Sequence, residues 1–478
     1  MYDVTIIGAG VIGGMIARML SAYDLKLCIA EKENDVAMGT TKANSAIIHA
    51  GFDAVPGTLK AKLNVRGSEL MEGIAQELGV KYRRNGSFVL AFTEEDKKEL
   101  EKLLERGKRN GVKDLRILSK EELHAAEANL SPKAEAALYA PTGAIICPYE
   151  LTIAAIGNAM ENGAELKRCF EVIKLTEKED GIELTAKDGR TIQTRYVINA
   201  AGLYSDRIAV LAGDDSFQVH PRRGEYILLD RECGGLFSHT IFRTPSKMGK
   251  GILMTPTVDG NLLIGPTSVD QTDKEDQMTT AEGLERVKRE ASENAKQIPW
   301  GKTITSFCGL RSVGSTGDFI LKTYGTRMVH AAGIESPGLS ASPAIAEYVV
   351  NLLQSLGLNL QKKETYRVTK HRRFREASLE EKNEMIRQDR SYGKIVCRCE
   401  GVTEGEIIEA LRTEPKAVDL DGVKRRTRAQ MGRCQGGFCS PHIVELIARE
   451  LEIPVEQVTK FGGNSYVNLG RTKEVQYD

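Results

Sequence analysis

The opening stretch MYDVTIIGAGVIGGMIARML restricts the fold more than any other part of the chain. An apolar run of strand type meets Gly8, Gly10 and Gly13, after which Met15, Ile16, Met19 and Leu20 recur at helical spacing. Strand, glycine turn and helix in that order have one physical rationale. Gly8 makes a tight turn, Gly10 lets the backbone touch a pyrophosphate, and Gly13 lets the helix pack closely on the strand, with the helix N-terminus facing the phosphates. The stretch LKLCIAEK then supplies a second strand ending in Glu31, 18 residues beyond Gly13, where an acid accepts hydrogen bonds from an adenosine ribose. An acid there favours a free ribose, so FAD or NAD is expected rather than NADP. The competing reading is a glycine-rich turn in an unrelated α/β domain.

Four cysteines make the second strong signal. Cys397 and Cys399 are separated by one residue, Cys434 and Cys439 by four, and all lie within 43 residues, while Cys28, Cys147, Cys169, Cys233 and Cys308 are scattered singly. The compartment matters to their reading. No apolar run approaches the length of a spanning helix, and the N-terminus lacks the basic region and cleavage site of a signal peptide. A cytoplasmic location is therefore expected, where thiols stay reduced and clustered cysteines point to a metal or redox site. Four thiolates suffice for a [2Fe-2S] cluster or a tetrahedral zinc, although zinc more often uses Cys-x2-Cys knuckles; purely structural cysteines are the remaining reading. Two helical stretches surround the cysteines, and Gly432, Gly436 and Gly437 allow close backbone approach. Lys424, Arg425, Arg426, Arg428 and Arg433 would offset cluster charge, dock an acidic partner, or form a solvated helix face.

The segment MGTTKANSAIIHAGFDAVPGTLKAK places small polar residues where a NAD-type unit proceeds directly to its next helix. Here the chain resembles the glycine oxidase and D-amino acid oxidase superfamily of flavoproteins, particularly glycerol-3-phosphate dehydrogenases and L-2-hydroxyglutarate dehydrogenases. The resemblance covers roughly residues 1 to 355 and implies FAD. It implies that Thr40, Thr41, Asn44 and Ser45 run along the cofactor to a His-x-Gly at His49, that TRYVINAAGLYSD brings Ala200, Ala201 and Gly202 to it, and that FCGLRSVGSTGDFIL and GIESPGLSASPAIAEYV close around the flavin through Gly309, Gly338, Leu339 and Ser340. A helix is expected to start after Pro343, its N-terminus stabilising negative charge on the flavin. The cysteine region resembles bacterioferritin-associated-ferredoxin-like [2Fe-2S] domains, including the one ending the anaerobic glycerol-3-phosphate dehydrogenase large subunit.

The expected fold class is α/β. A discontinuous Rossmann-type FAD-binding domain takes 1–80, 141–214 and 301–358, and a mixed-sheet substrate domain takes 81–140 and 215–300. A charged connector or surface helix (359–393) leads to a small helical [2Fe-2S] domain and tail (394–478). Flavin plus cluster implies a dehydrogenase that takes a hydride and exports single electrons. Its partner would be an electron-accepting flavoprotein or iron-sulfur subunit, in an oligomer or multi-subunit complex. Lys plus Arg (66) balances Asp plus Glu (66), so no global charge draws the chain to nucleic acid.

The substrate expected is a small anionic secondary alcohol, which needs a base for its hydroxyl proton and a fixed cation for its charge. His49 is the first choice for the base, against a positional role, and His239 the second. Arg311 matches the family's substrate arginine, and Arg223, Arg243 and Lys247 are further cations; Tyr226 is read as core before substrate contact. Glycerol 3-phosphate is preferred because of the cluster domain. Glycerol-3-phosphate dehydrogenases, however, commonly read His-x-Gly-x-Arg-Tyr where this chain has His49-Ala50-Gly51-Phe52-Asp53-Ala54. That loop and RRGEY resemble the L-2-hydroxyglutarate group more. An amino or imino acid dehydrogenase subunit and a pure electron relay are the other readings.

Overall fold

The computed structural model describes residues 1–244, 251–370 and 373–470. Strand Tyr2–Ile7 and helix Val11–Leu20 form as the periodicity predicts, the helix burying Met15, Ile16, Ala17 and Leu20. A Cβ on Gly13 would collide with the Gly8 carbonyl oxygen, and one on Gly8 (φ +107°) would lie 2.5 Å from the Ala200 carbonyl oxygen. The two glycines are thus required by neighbouring backbone. Tyr2–Ile7 pairs in parallel with Leu27–Ala30 on one side and Thr191–Asn199 on the other. Glu165–Lys167 and Met328–Ala332 add further parallel strands, and Val172–Lys178 and Gly181–Ala186 an antiparallel edge. Helices Leu59–Leu78, Pro148–Glu161 and Gly338–Ser355 pack with Val11–Leu20 into one apolar core beside this sheet.

A second, nine-stranded sheet is mixed, as expected. Thr240–Arg243 runs parallel to Ser87–Ala91, and every other pairing is antiparallel. One boundary shifts. Thr303–Gly314, expected in the FAD domain, pairs along the full length of Val219–Leu229 in the second sheet. Its middle nevertheless faces the cavity described below, so cofactor contact and sheet membership divide there. A three-stranded ribbon, Ile47–Ile48, Ala144–Ile146 and Tyr82–Arg83, lies between the two halves. Among the described residues no helix is long and apolar enough to cross a membrane.

The helix expected after Pro343 begins at Gly338. Proline removes the N–H that would bond to the Leu339 carbonyl, but the Ser342 hydroxyl donates to that oxygen at 2.8 Å. The helix therefore runs through the proline.

The connector carries the exposed helix Leu379–Gln388 and is tied to the body at Tyr366, whose hydroxyl donates to Asn158 Oδ1 at 2.7 Å. Helices Glu404–Arg412, Leu420–Thr427 and Ser440–Leu451 form the C-terminal domain around its own apolar core. Of the basic residues of 424–433, Arg425, Arg426 and Arg428 are buried rather than solvated, while Arg433 stays exposed. Arg425 and Arg426 bind buried Asp35, beyond the strand Leu27–Ala30 of the first sheet, at 2.6 and 2.8 Å, Arg428 binds Asp259, between strands Leu253–Pro256 and Leu262–Gly265 of the second, at 2.6 Å and Glu400 at 3.0 Å, and Arg433 binds Glu232 at 2.9 Å. The acidic partner of this cluster is the same chain.

Burial pushes the Asp259 pKa up, but Arg428, Lys81 and Arg373 outweigh it and hold the carboxyl down at about 2. An unfolded aspartate titrates near 3.9. A depressed folded pKa contributes stability that is complete above the unfolded value and lost as pH falls through the folded one. We expect hydrogen-exchange protection of 257–261 and 424–431 to hold at pH 5 and to fail between about pH 4 and 2. Protection unchanged to pH 2 would mean that the apolar contacts alone hold the domain.

Candidate active site

A cavity of about 570 Å³ runs between the two sheets. At one end it is lined by Glu31, Phe170, Tyr204 and Lys274, in the middle by Gly8, Gly10, Thr40, Thr41, Ala200, Ala201 and Gly202, and at the other by His49, Tyr226, Gly309, Arg311, Gly338 and Leu339. Asn44 and Ser45 also face it. With the glycine turn and the buried acid Glu31 both in its wall, the cavity has what a dinucleotide requires, and the residues present fit FAD. Glu31 is buried at the first end. One of its carboxylate oxygens accepts the Ala9 N–H at 2.6 Å and the other the Glu33 N–H at 3.0 Å, leaving further lone pairs for a ribose; desolvation raises its pKa. Thr41 Oγ1 accepts the Val11 N–H at 3.0 Å, tying the polar segment to the first turn of the helix.

Gly13 and Ser340 do not line the cavity. Gly13 serves packing, as above. Ser340 is fully buried, and its Oγ accepts the His49 N–H at 2.7 Å, so it holds the histidine loop from behind. Ala46, in the same loop, has φ +60°, a conformation that a non-glycine residue keeps only where its surroundings over-determine it.

At the far end His49 lies with its Nε2 3.4 Å from Ser336 Oγ and its ring tilted against Phe242 at 5.8 Å. Arg311 is anchored by neutral groups: one Nη donates to the Thr267 carbonyl at 3.1 Å, and the Tyr226 hydroxyl is within hydrogen-bonding reach. Tyr226, read as core, lines the cavity, its ring stacked on Phe307 at 4.8 Å and its hydroxyl 3.1 Å from Ser45 Oγ.

The other predicted cations lie elsewhere. In the antiparallel pair, Arg222 stands opposite Arg311 and Arg223 opposite Leu310. Directly opposed residues share a face and successive residues alternate, so Arg222 shares the strand face of Arg311, where it is paired with Asp270 at 2.6 Å and does not line the cavity, and Arg223 points to the other face. Arg223 is ion-paired to Asp276 and bonded to Gln271, and does not line the cavity. His239 is not in the site either: it stacks on Phe88 at 4.3 Å inside the second domain, with its Nδ1 2.7 Å from Glu127. Arg243 pairs with Glu293 and covers the Phe92 ring. Lys247 lies outside the described residues.

Sequence reasoning left Arg222 aside, and the structure pairs it with Asp270, outside the cavity wall. Sequence reasoning missed the strap at the adenosine end, where Lys274 pairs with Asp206 at 2.7 Å and Tyr204 bonds Glu275; the polar loop QTDKEDQ carries no pattern that signals this. The departure at Asp53 falls outside the cavity wall, in a loop whose Asp53 carbonyl accepts Arg106 Nη1 at 2.9 Å.

The four cysteines lie in the C-terminal domain as two pairs. Cys399 and Cys434 are exposed with their sulfurs 3.6 Å apart, and buried Cys397 and Cys439 are in hydrogen-bonding contact. Backbone N–H groups of Gln430 and Glu400 point at Cys397, and those of Gly436 and Phe438 at Cys434. A Cβ on Gly432 would collide with Cys399. Two thiolates on one metal ion at about 2.3 Å stand roughly 3.7 Å apart in tetrahedral geometry, so the Cys399–Cys434 spacing suits a shared metal. Among the described residues no three acidic, histidine or cysteine side chains converge on one ion-sized point. Two pairs of sulfurs fit a two-iron cluster better than a single zinc.

Comparison with known proteins agrees with both sites. The family described as DAO, FAD dependent oxidoreductase, matches residues 3–352, and the BFD-like [2Fe-2S] binding domain matches residues 395–449. A glycerol 3-phosphate dehydrogenase of Caloramator mitchellensis is 48% identical over the whole of both chains. The FAD-bound L-alpha-glycerophosphate oxidase of Mycoplasma pneumoniae, in its dithionite-reduced structure, superposes with a TM-score of 0.73 at 32% identity, covering 77% of this chain and 98% of that one. A mitochondrial L-2-hydroxyglutarate dehydrogenase of Nematostella vectensis is 33% identical over 56% of this chain and 62% of its own. Glycine turn, cavity and cysteine pairs are thus explained together: the chain belongs to the FAD dependent oxidoreductase family, beside the glycerol 3-phosphate dehydrogenases and oxidases, and carries a BFD-like [2Fe-2S] domain at its C-terminal side.

Proposed function

We propose that the enzyme oxidises sn-glycerol 3-phosphate to dihydroxyacetone phosphate and passes the electrons through its C-terminal domain to a partner acceptor. The observation that carries this reading is the 48% identity to a glycerol 3-phosphate dehydrogenase across the entire chain, cysteine domain included. Bound FAD supplies a two-electron hydride acceptor, and a [2Fe-2S] cluster held by Cys397, Cys399, Cys434 and Cys439 handles electrons singly.

The residues at the far end of the cavity divide the remaining work. Arg311 binds the substrate's anionic group with a guanidinium aimed by Thr267 and Tyr226. His49 takes the hydroxyl proton as the carbon loses its hydride, its ring kept in place by Ser336 and Phe242 and its backbone by Ser340. In this reading the enzyme works in the cytoplasm within an oligomer or multi-subunit complex.

Anaerobic addition of sn-glycerol 3-phosphate to the holoprotein should bleach the flavin. No bleaching with this substrate, together with bleaching by L-2-hydroxyglutarate, would replace it by the 2-hydroxy acid; bleaching only by an amino or imino acid would move the chain to the amine-oxidising branch. Arg311→Ala should lower kcat/KM by about 10- to 150-fold, the equivalent of about 1.5–3 kcal/mol for a hydrogen bond to a charged group, while FAD content stays constant. Unchanged kinetics would remove Arg311 from the substrate site.

A further inference from the structure

Between the flavin cavity and the cysteine site lies the stretch Ile146–Tyr149, hydrogen-bonded to the wall of the first and in contact with a sequence neighbour of the second. Ala46 and Ile47 line the far half of the cavity. Ile47 pairs with Ile145, and the Ile146 N–H donates to the Ala46 carbonyl at 3.0 Å. The next residue, Cys147, is buried and caps helix Pro148–Glu161. Its thiol is in hydrogen-bonding contact with the Tyr149 hydroxyl, and that hydroxyl donates to Met431 Sδ at 3.5 Å. Met431 is bonded to Gly432, which packs against Cys399, and it stands three residues before Cys434.

This contact is held firmly. Arg428 on Asp259 and Arg425 with Arg426 on Asp35 clamp the cysteine domain to both other domains. Further along the same helix, a Cβ on Gly157 would lie 3.0 Å from the Glu414 carbonyl oxygen, so the helix and the cysteine domain meet at a second point. A domain on a free tether would need none of these buried charges.

We infer that Ile146, Cys147, Tyr149 and Met431 form an electron route within one chain, from the flavin cavity to the cysteine site. The inference rests on the reading that electrons leave through the C-terminal domain, and deepens it by naming the residues they cross. Tunnelling falls steeply with each gap through empty space. Here bonded backbone, one backbone hydrogen bond and a row of polarisable sulfur and aromatic groups leave few such gaps. Each passage moves one electron, oxidising the reduced flavin by one and reducing the oxidised cluster by one. The second of the two electrons taken from substrate follows after a one-electron acceptor at the surface has reoxidised the cluster.

The test uses the anaerobic holoenzyme, with electrons loaded photochemically into the flavin so that the outcome does not depend on the substrate. Cluster reduction is followed by its absorbance and paramagnetic signal. In the natural protein it should follow flavin reduction at a rate that does not change on dilution. Tyr149→Phe and Met431→Leu should each slow this second phase several-fold, with flavin loading, flavin spectrum and cluster content unchanged; the leucine conserves volume. Variants that transfer at the natural rate would overturn the route, and so would a rate that rises in proportion to protein concentration. A natural protein whose cluster stays oxidised beside a reduced flavin would instead refute the electron-exit reading itself, and the route with it.

Discussion

Replacing Cys434 with serine is expected to abolish the paramagnetic signal of the dithionite-reduced cluster while leaving FAD bound and reducible by substrate. A serine hydroxyl does not ionise at neutral pH and cannot replace a thiolate whose sulfur stands 3.6 Å from that of Cys399. The backbone N–H groups of Gly436 and Phe438, directed at the Cys434 sulfur, would lose their acceptor as well. FAD should be indifferent, because the cavity wall is drawn entirely from residues between Ile7 and Leu339. Iron content, cluster signal and flavin absorbance of one preparation decide the matter. A retained signal would remove Cys434 from the ligand set. Loss of flavin with the cluster would show that the C-terminal domain helps to hold the cofactor.

The second large effect is expected at Asp35. This fully buried carboxylate accepts from both Arg425 and Arg426, whose side chains are 5% exposed. Burial alone would raise its pKa, yet the two guanidinium groups hold it well below the usual carboxylate range. Asp35→Ala would strand two buried cations, and breaking such a pair from one side costs about 3–5 kcal/mol. The loss should fall on the docking of the C-terminal domain, since the sheet around Tyr2–Ile7 has an apolar core of its own. In urea we expect an early transition that releases the C-terminal domain and opens 359–393 to proteolysis, followed by unfolding of the FAD domain near its natural midpoint. A single transition shifted by less than about 1 kcal/mol would mean that the clamp contributes no more than a surface pair.

The parts of this protein legible in its sequence are those whose causes are local. The glycine turn is one: Gly8, Gly10 and Gly13 stand within six residues, and the strand and helix around them carry their own periods of two and 3.6. The cysteine spacing is another, because each pair is separated by only one or four residues. The chain does return to the first sheet with the apolar strands Thr191–Asn199 and Met328–Ala332, but Thr303–Gly314, expected with them, pairs in the second sheet. At Pro343 the simple rule gave the wrong answer because a neighbouring side chain had intervened. Pro343 ought to precede a helix, and does not because the Ser342 hydroxyl takes over the missing donor.

The side-chain assignments needed the folded chain. VHPRRGEYILL reads as a strand, but nothing in it says that Arg222 is taken by Asp270 and Arg223 by Asp276, acids from a loop some fifty residues later, so that neither arginine lines the cavity. His239 and His49 look alike as lone histidines, and only the packing sends one into the second domain's core against Phe88 and the other to the cavity. The basic run 424–433 reads as a surface in search of an acid, and its acids prove to be Asp35 and Asp259, 391 and 169 residues away. The physical reason is the same in each case. A strand or helix is specified by neighbours that must adopt compatible dihedrals and so leaves a period in the sequence, whereas a contact across hundreds of residues costs only slowly more loop entropy as the separation grows and imposes no pattern between its ends.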